Sequence, residues 1–309
     1  MNISPIDSPS STPRRLRPAA PTPAVLLLLL AIGSGAASAD VVERFARSPL
    51  LGLGGNPFFT EGDPGARFTY VKRTPPRFPG DSRGSLRVLY DTTLPQARLS
   101  TPLGMVVSFD DDFEFGAILT IRSDGFEADP NGFSQIAFGL WNSSTTGPGR
   151  TLFPSDSFDL IEFDYFPNLT SFGGPFITPS VFGGEVGGNA FFNFTFLSVE
   201  TALPHDVPLL CRFVHDGAAR RLTLQVARLA AEATFTPIPG GRVTVDTGAL
   251  NPTFLVDVIG IAAYFEGFAS LRASVDYDLL YFAELPPPIV LGGRRPLPPG
   301  NPDGASAPE

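Results

Sequence analysis

Short β-rich segments, separated by residues that break regular structure, follow one another along most of this chain. The segment Arg221–Arg228 shows the pattern most clearly, because Leu222, Leu224 and Val226 fall on one face of an extended strand and polar residues alternate with them. No stretch has a convincing 3.6-residue apolar repeat, and the 32 glycines and 33 prolines are too many for long helices. A chain of many strands without long helices folds into a β-sandwich or a β-barrel.

The predicted strands are rich in β-branched and aromatic residues and are bounded by Gly, Pro, Asp or Asn. They are Val41–Phe45, Leu86–Tyr90, Met105–Phe109, Phe113–Arg122, Ser134–Trp141, Phe158–Phe166, Phe191–Val199, Leu209–His215, Arg221–Arg228, Gly241–Val245, Phe254–Tyr264 and Leu271–Phe282. Glycine and proline recur between the first strand and residue 85, so that stretch is predicted to be irregular. We therefore predict one all-β domain over residues 40–285.

The first 39 residues have the order of a secretory signal peptide. Arg14, Arg15 and Arg17 precede an apolar run over residues 24–32, and small residues then lead to an Ala-x-Ala pattern that ends at Ala39. The apolar run is too short to span a bilayer, and we expect no transmembrane segment in the mature chain. A signal peptide of this kind directs export, so we expect cleavage after Ala39 and an extracellular, periplasmic or cell-surface location.

Composition separates the tail from the domain and excludes one class of partner. Proline dominates residues 286–309, which we predict to be a disordered tail. The formal net charge is −9, and Lys72 is the only lysine. Phosphate contacts need clustered Lys and Arg, so we do not expect the chain to bind nucleic acid.

Acidic residues at alternate positions of one predicted strand are the clearest chemical feature. Glu162 and Asp164 lie two residues apart in Phe158–Phe166, so both point to the same face of a strand. The carbonyl of Phe166 and the amide of Asn168 follow directly. Calcium takes six to eight oxygens from carboxylates, carbonyls and water, so this spacing suits a cation site. Two acids on a strand can also simply face solvent in an acidic protein.

The run Glu162-Phe-Asp164-Tyr-Phe166-Pro-Asn168 resembles the metal-binding strand of the legume, or L-type, lectins in the concanavalin A-like superfamily. That family writes the strand as Val-x-Val-Glu-Phe/Leu-Asp-Thr-x-x-Asn. The resemblance spans roughly residues 85–284 and implies a divergent member with a two-sheet antiparallel jelly-roll sandwich. By position it implies that Glu162, Asp164 and the Phe166 carbonyl are metal ligands. It also implies that Asn168 touches both calcium and sugar.

The resemblance further implies sugar contacts from loops near this strand. The family's Asp…Gly loop corresponds to Asp124 or to Asp129 with Gly132, and Asp129 is preferred because Gly132 leads straight into the next strand. Trp141 ends a strand beside polar residues, and it either stacks on a sugar or belongs to the core. The family's second Asp and its His have no counterpart in residues 170–179. We therefore expect only a weak calcium site, with calcium as the one implied cofactor.

Enzymatic activity is not expected. Retaining glycoside hydrolases of the laminarinase type, in the same superfamily, write the strand as Glu-x-Asp-x-x-Glu and need both Glu residues for catalysis. Here the last position is Pro167, which cannot transfer a proton. The sequence thus predicts an exported, non-catalytic, lectin-like protein that binds a glycan or polysaccharide. The alternatives are a structural or cell-surface assembly domain with a degenerate site and, third, a laminarinase-type hydrolase.

Overall fold

A computed structural model of the chain describes residues 41–51, 58–62, 64–73, 81–91, 93–94, 96–122, 133–145, 158–167, 175–230, 234–266 and 272–285. The predicted signal peptide and the predicted tail both lie outside the described residues, so their boundaries stay predictions. In the described part of the chain, no helix has the length and apolar character needed to cross a membrane.

Nearly all regular structure in the described residues is extended. The strands are β1 (Val41–Glu43), β2 (Phe59–Gly62), β3 (Phe68–Lys72), β4 (Gly84–Asp91), β5 (Ala97–Ser108), β6 (Phe113–Ile121), β7 (Phe133–Trp141), β8 (Leu160–Phe166), β9 (Phe176–Phe182), β10 (Phe194–Phe196), β11 (Val199–Glu200), β12 (Leu209–Asp216), β13 (Arg221–Leu229), β14 (Phe235–Asp246), β15 (Leu255–Glu266) and β16 (Arg272–Glu284). One helical turn, α1 (Pro64–Arg67), and two 3₁₀ turns, Pro49–Leu51 and Ala190–Phe192, complete them.

The strands form two antiparallel sheets. The first sheet has the order β14-β13-β12-β6-β16-β4-β3, with β1 beside β16. The second sheet has the order β10-β9-β8-β7-β15-β5-β2, with β11 beside β9. Neighbouring strands such as β6 and β16 are far apart in the sequence, so the chain passes repeatedly between the sheets. The prediction of a two-sheet antiparallel β-sandwich is confirmed.

The core between the sheets is built from the inward-facing residues of each strand. Phe115 of β6 and Phe213 of β12 stack with ring centroids 4.6 Å apart. Phe138, from β7 of the opposite sheet, meets both rings edge-on at 6.4 Å. Such aromatic pairs contribute roughly 0.5–1.5 kcal/mol each beyond the burial of their surface, so these rings help to hold the two sheets together.

Proline hides one strand from sequence analysis. β9 was not predicted, and it contains Pro179, which has no backbone N–H to donate. On one side of β9, β10 pairs with residues 180–182 and β11 pairs with residues 176–177. The ladder is therefore interrupted at Pro179, where a missing donor costs least. β2 and β3, within the stretch predicted to be irregular, were missed as well.

The predicted strand Phe191–Val199 is wrong as a single element. A 3₁₀ turn at Ala190–Phe192 precedes two short strands, β10 and β11. Asn193 explains the break, because its side-chain amide donates to the carbonyls of Gly184 at 2.9 Å and Pro252 at 2.6 Å. These bonds hold the chain in a bend that a continuous strand would not allow.

Candidate functional site

Alternation along β8 determines where the two predicted acidic ligands lie. Ile161, Phe163 and Tyr165 belong to the core between the sheets. Glu162 and Asp164 therefore share the opposite, outer face of the second sheet, as predicted from their spacing. Their exposed fractions are only 0% and 3%, so the alternative of two solvated acids is wrong.

Cross-strand register shows what surrounds this pair on the outer face. One row across β9, β8, β7, β15 and β5 runs through Thr178, Asp164, Ala137, Ala262 and Arg98, and the next through Ser180, Glu162, Gly139, Gly260 and Ser100. In both rows the two central strands contribute only Gly or Ala, a set we call the small-residue floor. Glu162 and Asp164 of β8 lie on one side of this floor, and Arg98 of β5 lies on the other.

Two hydrogen-bond donors hold the Asp164 carboxylate. Gln135 Nε2 donates to Asp164 Oδ1 at 2.7 Å, and Ser180 Oγ donates to Asp164 Oδ2 at 2.5 Å. The same Gln135 nitrogen lies 3.4 Å from Glu162 Oε2, so one amide bridges both acids. Burial raises the pKa of the Asp164 carboxyl to about 6, although hydrogen bonds with Ser180, Gln135 and Glu162 act in the opposite direction.

The amide of Gln135 has a second feature. Its Oε1 is buried and accepts no hydrogen bond from the residues that the structure describes. The orientation of the amide follows from its neighbours, because the nitrogen must face the two carboxyl groups. A buried acceptor without a donor costs roughly 1–3 kcal/mol, so this oxygen is suited to receive a hydroxyl from a ligand.

Trp141 also lies on the outer face, at the end of β7, but its ring is covered. The exposed fraction of Trp141 is 1%. Its ring lies directly against Gly260, where a Cβ on residue 260 would be only 2.7 Å from the ring. The guanidinium carbon of Arg98 is 5.8 Å from the ring centroid. The ring packs with Phe158, Leu160, Phe182, Ala190 and Val258. Stacking on a sugar needs an exposed ring face, so the sugar-platform prediction is corrected and Trp141 is a packing residue in this structure.

Several predicted site residues lie outside the described residues: Asp124, Asp129, Gly132 and Asn168. Their proposed contacts with sugar and calcium stay predictions. Phe166 is described, and it ends β8 opposite Phe176 of β9. Its predicted role as a carbonyl donor to calcium stays a prediction.

The groups around Asp164 also test whether a calcium ion fits. Calcium binds oxygen acceptors, whereas both oxygens of Asp164 face hydrogen donors, the Gln135 amide and the Ser180 hydroxyl. Across the described ranges, no group of three or more His, Cys, Asp or Glu is placed to hold a metal. These residues suit a hydrogen-bonded carboxyl pair and do not fit calcium. The weak calcium site involving Asn168 stays a prediction, and no chemical role is assigned to it.

Sequence analysis missed three side chains of this site, Arg98, Gln135 and Ser180. Each occupies a polar position in a segment that is otherwise apolar or small, which is the only local signal that could have identified them. Their relation to β8 depends on pairing between distant strands, which alternation within one strand does not reveal.

Solved structures provide the comparison with known proteins. Lectin II from Ulex europaeus aligns with 79% of this chain and 97% of its own, at 13% identity and a TM-score of 0.47. Peanut lectin aligns with 81% and 100%, at 12% identity and a TM-score of 0.44. The chain is similar in fold to the legume lectins. A seed lectin of Lotus tetragonolobus, at 12% identity and a TM-score of 0.42, covers 74% of this chain and 98% of its own.

The legume-lectin likeness concerns the arrangement of the sheets alone. It transfers no ligand and no site residue to this chain. No protein-family model matches the chain, and no curated protein sequence matches it.

Proposed function

We propose that this chain is an exported, non-catalytic carbohydrate-binding protein whose site is the outer face of the second sheet. The observation that supports the proposal is the buried polar cluster of Glu162, Asp164 and Gln135 beside the small-residue floor. Burial of two carboxyl groups is unfavourable, and a sheet face needs no such groups for stability. A buried carboxyl whose pKa is raised by burial is a candidate for a functional site.

The cluster carries the chemistry that recognises a polyol. Glu162 and Asp164 supply carboxylate acceptors for sugar hydroxyls, and Gln135 Oε1 supplies a neutral acceptor with no donor among the described residues. The small-residue floor has no side chains beyond Cβ, but its four residues are buried and the Trp141 ring lies against Gly260, so the proposed sugar contacts are made by the polar side chains and not by the floor. Arg98 lies across the floor, where it is buried beside the Trp141 ring.

The same geometry argues against hydrolysis. Retaining catalysis places two carboxyl groups about 5 Å apart with the glycosidic bond between them. In the related hydrolases that pair falls at Glu162 and position 167, and Glu162 here lies 3.4 Å from the Gln135 amide that also donates to Asp164. Pro167, in the turn after β8, occupies the position of the second catalytic Glu in the related hydrolases. The cluster is therefore proposed to bind and not to cleave.

A glycan array tests this proposal. The purified protein is applied with calcium, and again with a chelator in place of calcium. We expect binding to at least one class of glycan under both conditions, because the donors around Asp164 do not fit a metal. No binding under either condition would contradict the proposal and leave a structural role. Binding only with calcium would restore the calcium-dependent site predicted around Asn168.

Export has its own test. The Ala-x-Ala pattern before Asp40 predicts that the exported protein begins at Asp40. N-terminal sequencing of protein recovered outside the cytoplasm should show this residue first. Recovery of a chain that retains residues 24–32 would contradict it.

A further inference from the structure

The edge of the second sheet at β10 carries an exposed apolar surface, which we call the phenylalanine edge. The five side chains of this surface have exposed fractions between 37% and 67%, which is unusually high for large apolar residues. Its members are Val186, Phe191, Phe192, Phe196 and Leu197. None of them belongs to the polar cluster around Asp164.

Two rings of the phenylalanine edge, Phe191 and Phe196, are joined through the ring of Phe194 between them. Phe191 meets Phe194 edge-on with centroids 5.3 Å apart, and Phe194 stacks on Phe196 at 5.3 Å with an interplanar angle of 9°. The Phe192 ring packs near Gly187, where a Cβ would lie 3.2 Å from it. Because the rings support one another, the surface is ordered before any partner arrives, which reduces the entropy lost on docking.

The phenylalanine edge itself lacks the residues that usually keep sheet edges apart. Charged side chains and prolines protect exposed edge strands from pairing with other chains. β14, at the edge of the first sheet, has Pro237 and Pro239, and β3 at its other edge ends in Lys72. Residues 186–199 contain neither a charged residue nor a proline, and the nearest charges are Glu185 and Glu200 at the two ends of this segment.

Area and charge favour a second copy of this chain as the occupant. A fully exposed phenylalanine offers about 200 Å², so the exposed parts of the five members amount to about 450 Å². A standard interface takes about 800 Å² from each partner, of which somewhat more than half is apolar, so the areas match. Two copies with a net charge of −9 repel each other, except where both surfaces are uncharged.

We propose that two copies of this chain associate through their phenylalanine edges. A two-fold axis would bring the same surface of each copy together, so one uncharged patch serves both sides. The contact lies at the edge of the second sheet, where Phe194 of β10 is paired with Phe182 of β9. It is beside the polar cluster and on the same face of the sheet as Phe182. The proposal is independent of glycan binding, because it rests on a different set of residues.

Sedimentation equilibrium across the micromolar range tests this proposal with three variants of the full chain. F192D and F196D each place a carboxylate in the patch, and V106D places one at an equally exposed apolar position on β5. We expect the wild type and V106D to be dimers and both phenylalanine variants to be monomers. All three positions are at least half exposed, so the melting temperatures should stay close to that of the wild type.

Three outcomes would overturn the proposal. The wild type could remain monomeric throughout the range, or V106D could dissociate as readily as F192D. The wild type could also be monomeric yet bind lipid vesicles or a glycan that F196D does not bind, which would assign the patch to that ligand. A blank glycan array would leave the dimer prediction unchanged, so the two proposals fail separately.

Discussion

Gln135 Nε2 on β7 donates a 2.7 Å hydrogen bond to Asp164 Oδ1 on β8, across the outer face of the second sheet. The bond joins two neighbouring strands at the point where the sequence predicted metal ligands. It also leaves the other amide atom of Gln135 facing no donor among the described residues. The proposed site depends on this pair of side chains.

Loss of a donor to Asp164 should destabilise the fold. Ser180→Ala removes the hydroxyl that donates to Asp164 Oδ2 and leaves a buried carboxyl oxygen short of a partner. We expect the free energy of unfolding to fall by about 1–3 kcal/mol in a denaturant titration. Thr69→Ala, at an exposed position on β3, should change it by less than about 0.5 kcal/mol. Equal effects of the two substitutions would show that the bond does not stabilise the pair.

Trp141 is the only tryptophan, so its fluorescence reports on one ring. Because the ring is buried, its emission should be blue-shifted from that of free tryptophan, and acrylamide should quench it poorly. Unfolding in denaturant should reverse both properties. A red-shifted, readily quenched emission from the folded protein would return Trp141 to the role of an exposed sugar platform.

The outer face of the first sheet holds a buried ion network centred on Asp276. The arginines Arg73 and Arg87 each place a nitrogen 2.7 Å from its carboxylate, and Arg122 lies 3.8 Å away. Burial alone would raise the pKa of Asp276, but the hydrogen bond from Arg87 and these positive charges lower it. Asp276→Ala removes this buried carboxylate and its charged hydrogen bonds, while Arg73 keeps Asp278 and Arg122 keeps Asp206, so we expect a loss of about 1–3 kcal/mol in unfolding free energy.

The control for this network is Asp206→Ala. Asp206 pairs with Arg122 at 3.3 Å, and both side chains are more than a third exposed. Solvent screens such a pair, so we expect a loss below about 1 kcal/mol. Similar losses for Asp206→Ala and Asp276→Ala would contradict the assignment of the stabilisation to burial.

His215 should make stability depend on pH. Its Nδ1 lies 2.8 Å from the Asp111 carbonyl oxygen, and its ring stacks on Phe113 at 4.7 Å. Burial lowers its pKa below 6.5, although the Asp111 carbonyl and the carboxylates of Asp111, Asp112 and Asp216 act in the opposite direction. As the pH drops below about 6.5, the histidine is protonated in the unfolded chain before it is protonated in the folded chain. Protonation therefore favours the unfolded chain, and stability falls as the pH drops below that value.

Denaturant titrations at about pH 7.5 and about pH 5.5 measure this effect against His215→Gln, which cannot titrate. The wild type should lose more unfolding free energy between the two values than the variant does. Carboxyl groups titrate in both proteins, so their contribution cancels in the comparison. Parallel losses would show that His215 is protonated equally in the folded and unfolded states.

Much of the sheet framework followed from local patterns. β13 was predicted as Arg221–Arg228 and observed as Arg221–Leu229, because apolar and polar residues alternate strictly there. β9 was not predicted because a proline such as Pro179 is disfavoured within a strand. It is tolerated here because the partner strands β10 and β11 leave residue 179 unpaired on one side. That gap depends on pairing between strands, which no local pattern contains.

The site was predictable only in part, for a related physical reason. The two-residue spacing placed Glu162 and Asp164 on one face, which holds for any strand. It could not show that the face is buried, that Gln135 and Ser180 lie alongside, or that Trp141 is covered. Those facts depend on the register of β7, β8 and β9, which long-range packing determines.

Titration calorimetry with the strongest glycan from the array tests the central claim most directly. Glu162→Gln keeps the shape of the side chain and removes its charge at the proposed site. Glu114→Gln makes the same change in a buried carboxylate on the outer face of the first sheet, where Arg212 and Tyr281 bind it. We expect Glu162→Gln to weaken binding about tenfold or more, and Glu114→Gln to leave it within about twofold of the wild type. Wild-type affinity in Glu162→Gln, with both variants folded, would contradict the assignment of the site to this face.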